Sequence, residues 1–354
     1  MGDVFVLCYK ISLEPITHFL TGAVLARAGF NRKTALATAT MTLAAEAPDL
    51  DVVSGLKGPV YGFAHHRGFT HSFLGLFLVA GLTVGLMYLI WRMRGRNTNI
   101  PDLPPRWGLL FLFAYIAGLS HILLDFTNNY GVRPFWPFWE KWYSWDIVFI
   151  VEPALYVILI GGLVLPAIWS RKQRAPRGPR TAILALACVV ALYAARDYEH
   201  CQAVQAVRTA ASAAEAKTGQ APTRVSAYPY PLSLTRWYGV AEMPSVFAVT
   251  DVNSRTGSLY GTLRYDAKPP ETPATLAAKR TYLGRVYLDW AQYPLVTEAK
   301  EVEGEGAVVS FRDLRFGYPL LNRNGVLAAY VRLDGKLHVT AEMMGSRQQS
   351  PPLN

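Results

Sequence analysis

From Phe73 to Trp91 the chain reads FLGLFLVAGLTVGLMYLIW without one charged residue, close to the ~20 residues that a helix needs to cross the hydrocarbon core of a bilayer. Gly108 to Leu124 repeats the pattern with a single histidine, and Ile147 to Trp169 repeats it with a single glutamate. TAILALACVVALYAA, Thr181 to Ala195, is shorter but wholly uncharged. Four spans are predicted. Two earlier apolar segments, Thr17 to Ala28 and Thr34 to Ala45, are too short to span and are expected to be half-membrane or packed helices.

After residue 195 the pattern changes. EHCQAVQAVRTAASAAEAK is alanine-rich and helix-prone, and the prolines of APTRVSAYPYPLS end it. Beyond them, β-branched and aromatic residues alternate with turn signals such as NSRTG, and YVRLDGKLHV carries a two-residue DG hairpin signal. The fold class is therefore mainly α. A polytopic α-helical membrane domain over residues 1–195 leads through a helical linker, 196–222, into a C-terminal soluble β-rich (α+β) domain, 223–354, with a helix near Pro273 to Ala291. In that domain His338 is expected at the surface, and Asp313 is expected to fix a turn or pair with Arg312 or Arg315.

Composition adds orientation. The 354 residues are 51% hydrophobic and only 17% charged, below the ~25% charge of soluble domains. The net charge of +10 concentrates in two connectors, RMRGR after Trp91 and RKQRAPRGPR after Trp169, which the positive-inside rule places in the cytoplasm. Traced from there, Phe73, Asp125 and Ala195 reach the outer face, and the C-terminal domain is extracytoplasmic. The same bias accounts for the basic runs, so a nucleic-acid partner is not expected. RPFWPFWEKWYSW, Arg133 to Trp145, is expected to anchor the chain at headgroup depth. Cys8, Cys188 and Cys201 form no CxxC pattern and no disulfide framework.

This trace brings His18, the stretch from Asp49 to His71, His121 with Asp125, and Asp146 with Glu152 to one face. Ionisable groups in or beside spans are costly and mark a site. HILLD sets His121 and Asp125 four residues apart on one helix face, a spacing that suits two ligands of one ion or an intrahelical hydrogen bond. PDLD places Asp49 and Asp51 in a bend from which both can reach an ion. HHRGFTHS is the most specific stretch: His66 and His71 flank Gly68, Arg67 suits an anionic substrate, and neutral imidazole is the commonest metal ligand.

PITHFLTG, APDLDV, HHRGFTHS, HILLDFTNNYG and WDIVFIVEP, in that order, resemble the YdjM-type family of inner-membrane metal-dependent hydrolases across roughly residues 14–170. The resemblance implies an integral inner-membrane location and a hydrolase. The ligand order is also similar to that of zinc phospholipase C and P1-type nucleases, which by position implies His18, Asp49, His66 or His71, and His121 with Asp125. Together these readings put His18, Asp49, His66, His71, His121 and Asp125 around a divalent metal, Zn2+ above all, with Asp51 and Arg67 in catalytic roles. The ion would acidify a water and polarise a phosphoryl or carbonyl oxygen. The expected substrate is a phosphoester, as in a phospholipid or lipid-linked phosphate met in the bilayer. The alternative is a noncatalytic membrane binding or scaffold protein whose metal or polar network is structural. Transport is disfavoured, because the ionisable groups sit near one face and not at mid-membrane.

Overall fold

The computed structural model describes residues 15–94, 103–173, 179–300, 306–319 and 327–349. Within these the chain forms two compact units. One comprises the described residues of 15–51 and 67–197, and the other those of 52–66 and 198–349. Cys8 and parts of both basic connectors lie outside the described residues.

The first unit is helical. Its elements are α1 (Pro15–Arg27), α2 (Ala37–Glu46), α4 (Phe73–Met93), α5 (Trp107–Thr127), α6 (Pro153–Gln173) and the first half of α7 (Arg180–Thr218); α3 (Pro59–His65) belongs to the other unit. Among the described residues α4, α5 and α7 are long and apolar enough to cross a membrane. On α4 the two faces separate at helical spacing. Leu76, Val79, Ala80, Thr83 and Met87 are buried, whereas Leu78, Leu82, Leu86 and Leu89 are exposed. One stripe packs against α5 and the other suits lipid. Ser72 fixes where α4 starts, its hydroxyl accepting from Gly75 N–H at 2.9 Å.

The two short apolar segments are packed helices. α1 lies on α2 and α2 on α5, through a core rich in small side chains: Ala26, Ala37, Ala44, Ala45, Ala114 and Ala117 around Met41 and Phe113. Small residues let helix backbones approach closely where lipid supplies no hydrophobic drive. Gly22 is the tightest point, because a β-carbon there would stand 2.6 Å from the Met41 carbonyl oxygen.

Two expected elements differ. The span read from Ile147 begins as a helix only at Pro153, since Ile147 and Val148 instead bond to the Thr127 carbonyl after α5; the apolar helix left, Pro153–Pro166, is short. The last span and the linker are one helix of 39 residues, α7. No proline or glycine interrupts it before Gly219, so the change from leucine to alanine composition alters what it packs on and not its geometry.

The second unit holds two antiparallel sheets. β1 (Arg224–Pro229), β2 (Arg236–Glu242), β3 (Val246–Asn253) and β4 (Arg264–Ala267) are hydrogen-bonded in chain order. The alanine-rich part of α7 covers this sheet, with Ala203, Val207, Ala211 and Ala214 against Trp237, Ala241 and Val252. β5 (Pro294–Lys300), β6 (Ala307–Asp313), β7 (Ala329–Leu333), β8 (Val339–Met344) and β9 (Arg347–Gln348) form the other, again in chain order. Strand β6 alternates buried and half-buried positions, as a half-buried strand should.

Between the sheets in sequence, the single expected helix is two, α8 (Pro273–Arg280) and α9 (Tyr282–Trp290). Thr281 divides them because its hydroxyl accepts from Gly284 N–H and caps a new helix. Asp313 both fixes a turn and pairs with Arg315, Oδ2 to Nε at 2.7 Å. His338 is exposed.

The close approach at Gly22 yields a stability test. Gly22→Val should force α1 from α2 and cost about 1–3 kcal/mol, seen as an earlier thermal transition of the detergent-solubilised chain. An unchanged transition would mean that the two helices are free to part.

Candidate metal centre

Asp49, His71, His121 and Asp125 each present one ligand atom, and these atoms lie within 4.8 Å of one another, all four residues buried. Three chain segments supply them. Asp49 comes from the 3-10 turn that follows α2, His71 from the 3-10 turn before α4, and His121 and Asp125 from one face of α5 near its end. Breaks in regular helix, at Pro48 and Gly68, aim the first two.

The imidazoles are set by what stands behind them. His121 Nδ1 lies 2.7 Å from the carbonyl oxygen of Ala45, which can only accept, so Nδ1 carries the proton and the neutral ring turns its Nε2 lone pair inward. His71 Nδ1 faces Asp51 Oδ2 at 3.3 Å and Thr70 Oγ1 at 3.0 Å. A carboxylate also only accepts, so its Nε2 is the lone pair too. The Nε2 atoms of the two rings then face each other at 3.0 Å, an arrangement that needs a shared proton or a cation. Backing of the distal ring nitrogen is how proteins fix the tautomer of a metal-bound histidine.

The spacings fit such a cation. Ligand atoms about 2.0–2.1 Å from a tetrahedral centre lie about 3.3 Å apart. Here His71 Nε2 is 3.2 Å from Asp49 Oδ1 and 3.3 Å from Asp125 Oδ2. His121 Nε2 is 3.6 Å and 3.3 Å from the same two oxygens. The group could hold a metal ion.

Charge points the same way. Among the described residues Asp125 pairs with the Arg67 guanidinium, whereas Asp49 faces the imidazoles of His71 and His121 and Asp51 that of His71, carboxylate charge that protons on imidazole or one divalent cation would balance. Without an ion, burial works against the His71 imidazolium, but its hydrogen bonds to Asp125, Asp49 and Asp51 prevail and raise its pKa well above the ordinary value. Burial likewise opposes the Asp49 carboxylate, and the neighbouring charge of His121 with hydrogen bonds from both rings holds it well below the usual range.

Other expected site residues surround this core. Arg67 sends Nη2 to Asp125 Oδ1 at 2.6 Å, and its Nη1 donates to Gly131 O at 2.9 Å and Asn128 Oδ1 at 3.3 Å. Asp51 accepts from Arg67 N–H at 2.8 Å. His18 stacks on His121, ring centroids 3.7 Å apart, with Nε2 3.6 Å from Asp125 Oδ1. It adjoins the four without being one of them. His66 closes α3, in the other compact unit, and is not one of the four either. Glu152 pairs with Arg196 in a buried ion pair. Sequence reasoning missed the Ala45 carbonyl, Thr70, Asn128 and Arg196. NNYG directly after HILLD was the available signal for Asn128, whereas a backbone carbonyl leaves none.

A narrow cleft opens beside the group. It is lined by the polar Thr17, His18, Arg67, Asp125, Thr127, Asn128, Glu152 and Tyr193 and by the apolar Leu124, Val148, Phe149, Ile150 and Leu155.

Residues 13–201 match the YdjM inner membrane protein family, a stretch that contains all of these side chains. The chain belongs to this family. It is also 33% identical over 107 residues to the uncharacterized protein YfhP of Bacillus subtilis, a match that covers 28% of this chain and 29% of that one. No solved structure matches the chain.

The geometry ranks the ligands. Elemental analysis of the detergent-purified chain should find one metal equivalent, lost in His71→Ala and His121→Ala and kept in His66→Ala. Asp51→Asn should keep the ion with affinity about 10–100-fold weaker, as for other groups that orient a ligand. Full loss in His66→Ala would overturn this assignment.

Proposed function

We propose that this YdjM-family membrane protein is a metal-dependent hydrolase that cleaves a phosphoester of an amphipathic substrate, a phospholipid or lipid-linked phosphate, at the outer membrane interface. The observation that carries the reading is the buried cage of two imidazole nitrogens and two carboxylate oxygens at near-tetrahedral spacing. Mixed nitrogen and oxygen ligation suits Zn2+. Such an ion lowers the pKa of a water toward ~7 and polarises a phosphoryl oxygen.

The residues of the chain supply the rest. Asp49, His71, His121 and Asp125 hold the ion, and Asp51, on the far edge of the His71 ring from Nε2, keeps that ring in its tautomer. Arg67 receives the phosphoryl group. Its Nε–H is a buried donor without a hydrogen-bond partner among the described residues, and Arg67 lines the cleft together with His18. An unmet buried donor is costly, and a phosphate oxygen would satisfy it.

One observation favours a second reading. Four protein atoms complete a tetrahedral shell, and closed shells are characteristic of structural ions, whereas catalytic zinc keeps a position for water. The same ion would then brace a noncatalytic scaffold.

Turnover separates the two. The zinc-loaded full chain should release p-nitrophenol from bis-p-nitrophenyl phosphate or phosphate from phosphatidic acid in mixed micelles, and His121→Ala should abolish it. Arg67→Lys, which keeps the charge but not the planar fork, should keep the ion and lower kcat about 10²-fold. A stoichiometric ion that resists chelation, with no hydrolysis of either substrate, would select the scaffold.

A further inference from the structure

Between Asp51 and Arg67 the chain makes an excursion. Both end residues belong to the metal centre, whereas Val52–His66 fold with the described residues from Tyr198 to Gln349 as part of the other compact unit. The ends are clasped, Arg67 N–H donating to Asp51 Oδ2 at 2.8 Å. At the clasp Arg67 has φ 54, a left-handed conformation that side-chain-bearing residues rarely adopt. Something must hold it there.

The middle of the excursion is held by residues far along the sequence. Helix α3 buries Phe63 against α9, its ring 5.2 Å from that of Trp290 and 6.0 Å from that of Tyr287. The side chain of Gln349, after the last strand, caps the start of α3: Oε1 accepts from Val60 N–H at 3.0 Å and Tyr61 N–H at 3.3 Å. Its Nε2 donates to the Lys57 carbonyl at 2.8 Å. Gly58, at φ 115, makes room for that amide, since a β-carbon there would lie 2.2 Å from it. Gln349 is itself fixed, its N–H donating to the Glu342 carbonyl at 2.8 Å.

We propose that α3 is a tether through which the C-terminal domain sets the backbone at Arg67, and so the placing of Arg67 and His71 in the metal centre. A free loop of this length would bring closure entropy to bear against the Asp51–Arg67 clasp. With its middle folded into a domain, the loop has that freedom removed in advance. The site is therefore open to regulation by whatever orders or loosens the β-rich domain around Phe63 and Gln349. This role rests on the metal-centre reading only for its consequence, not for its geometry.

Hydrogen–deuterium exchange on the full-length chain in detergent, without metal, tests the geometry; zinc titration tests the consequence. The variants are Gln349→Ala and Phe63→Leu, with Lys336→Ala, in an exposed turn of the same domain, as control. Amides of residues 67–72 should exchange about tenfold faster in both variants and not in the control, and zinc affinity should fall about tenfold. Faster exchange confined to residues 59–66, with native zinc affinity, would overturn the tether and leave the metal centre standing. Faster exchange at 67–72 in a chain that binds no zinc at all would support the tether and remove the metal reading.

Discussion

His71 Nε2 and His121 Nε2 stand 3.0 Å apart in a buried site, each ring with its other nitrogen committed to an acceptor behind it. Two lone pairs cannot face each other at that distance unless a positive charge lies between them. The rest of the helical unit is arranged so that they do. The Ala45 carbonyl that backs His121 belongs to the last turn of α2, where carbonyls have no partner within the helix. It reaches α5 only because alanines line the contact between the two helices. Close packing of small residues is thus what sets the protonation of a histidine on a neighbouring helix.

Asp125 extends the arrangement outward. One carboxylate oxygen faces the two imidazoles and the other holds Arg67, so the four-residue group and the lining of the cleft share a residue. Arg67 in turn is fixed by Asn128 and Gly131 beyond the end of α5.

Much of this was legible before the structure. Unbroken apolar runs gave the spans, and the four-residue spacing of His121 and Asp125 gave half of the cage, because helical periodicity converts spacing directly into a shared face. Asp49 and Asp51 were legible as a pair, though not that they grip opposite edges of one ring. His66 and His71 could not be ranked. They lie five residues apart, and the choice depends on where α3 ends and a 3-10 turn begins, which a few backbone angles at Arg67 and Gly68 decide. The misplaced start of α6 has a similar cause: IVFIVEP is apolar enough for a helix, but Ile147 and Val148 find backbone acceptors at the end of α5 first.

Whether such a cage serves chemistry or structure turns on how its burial is divided. The four ligand residues are almost wholly removed from solvent, which by itself suits a structural ion. Yet polar atoms are not buried idly in such an environment, where each unmet donor or acceptor weakens the fold. Arg67 Nε is left without a partner among the described residues, and Arg67 lines the cleft beside Asp125. Asp125 belongs to both sides, its Oδ2 toward the two imidazoles and its Oδ1 toward the Arg67 guanidinium. An acceptor that entered the cleft and met that donor would therefore stand one carboxylate away from the four candidate ligands.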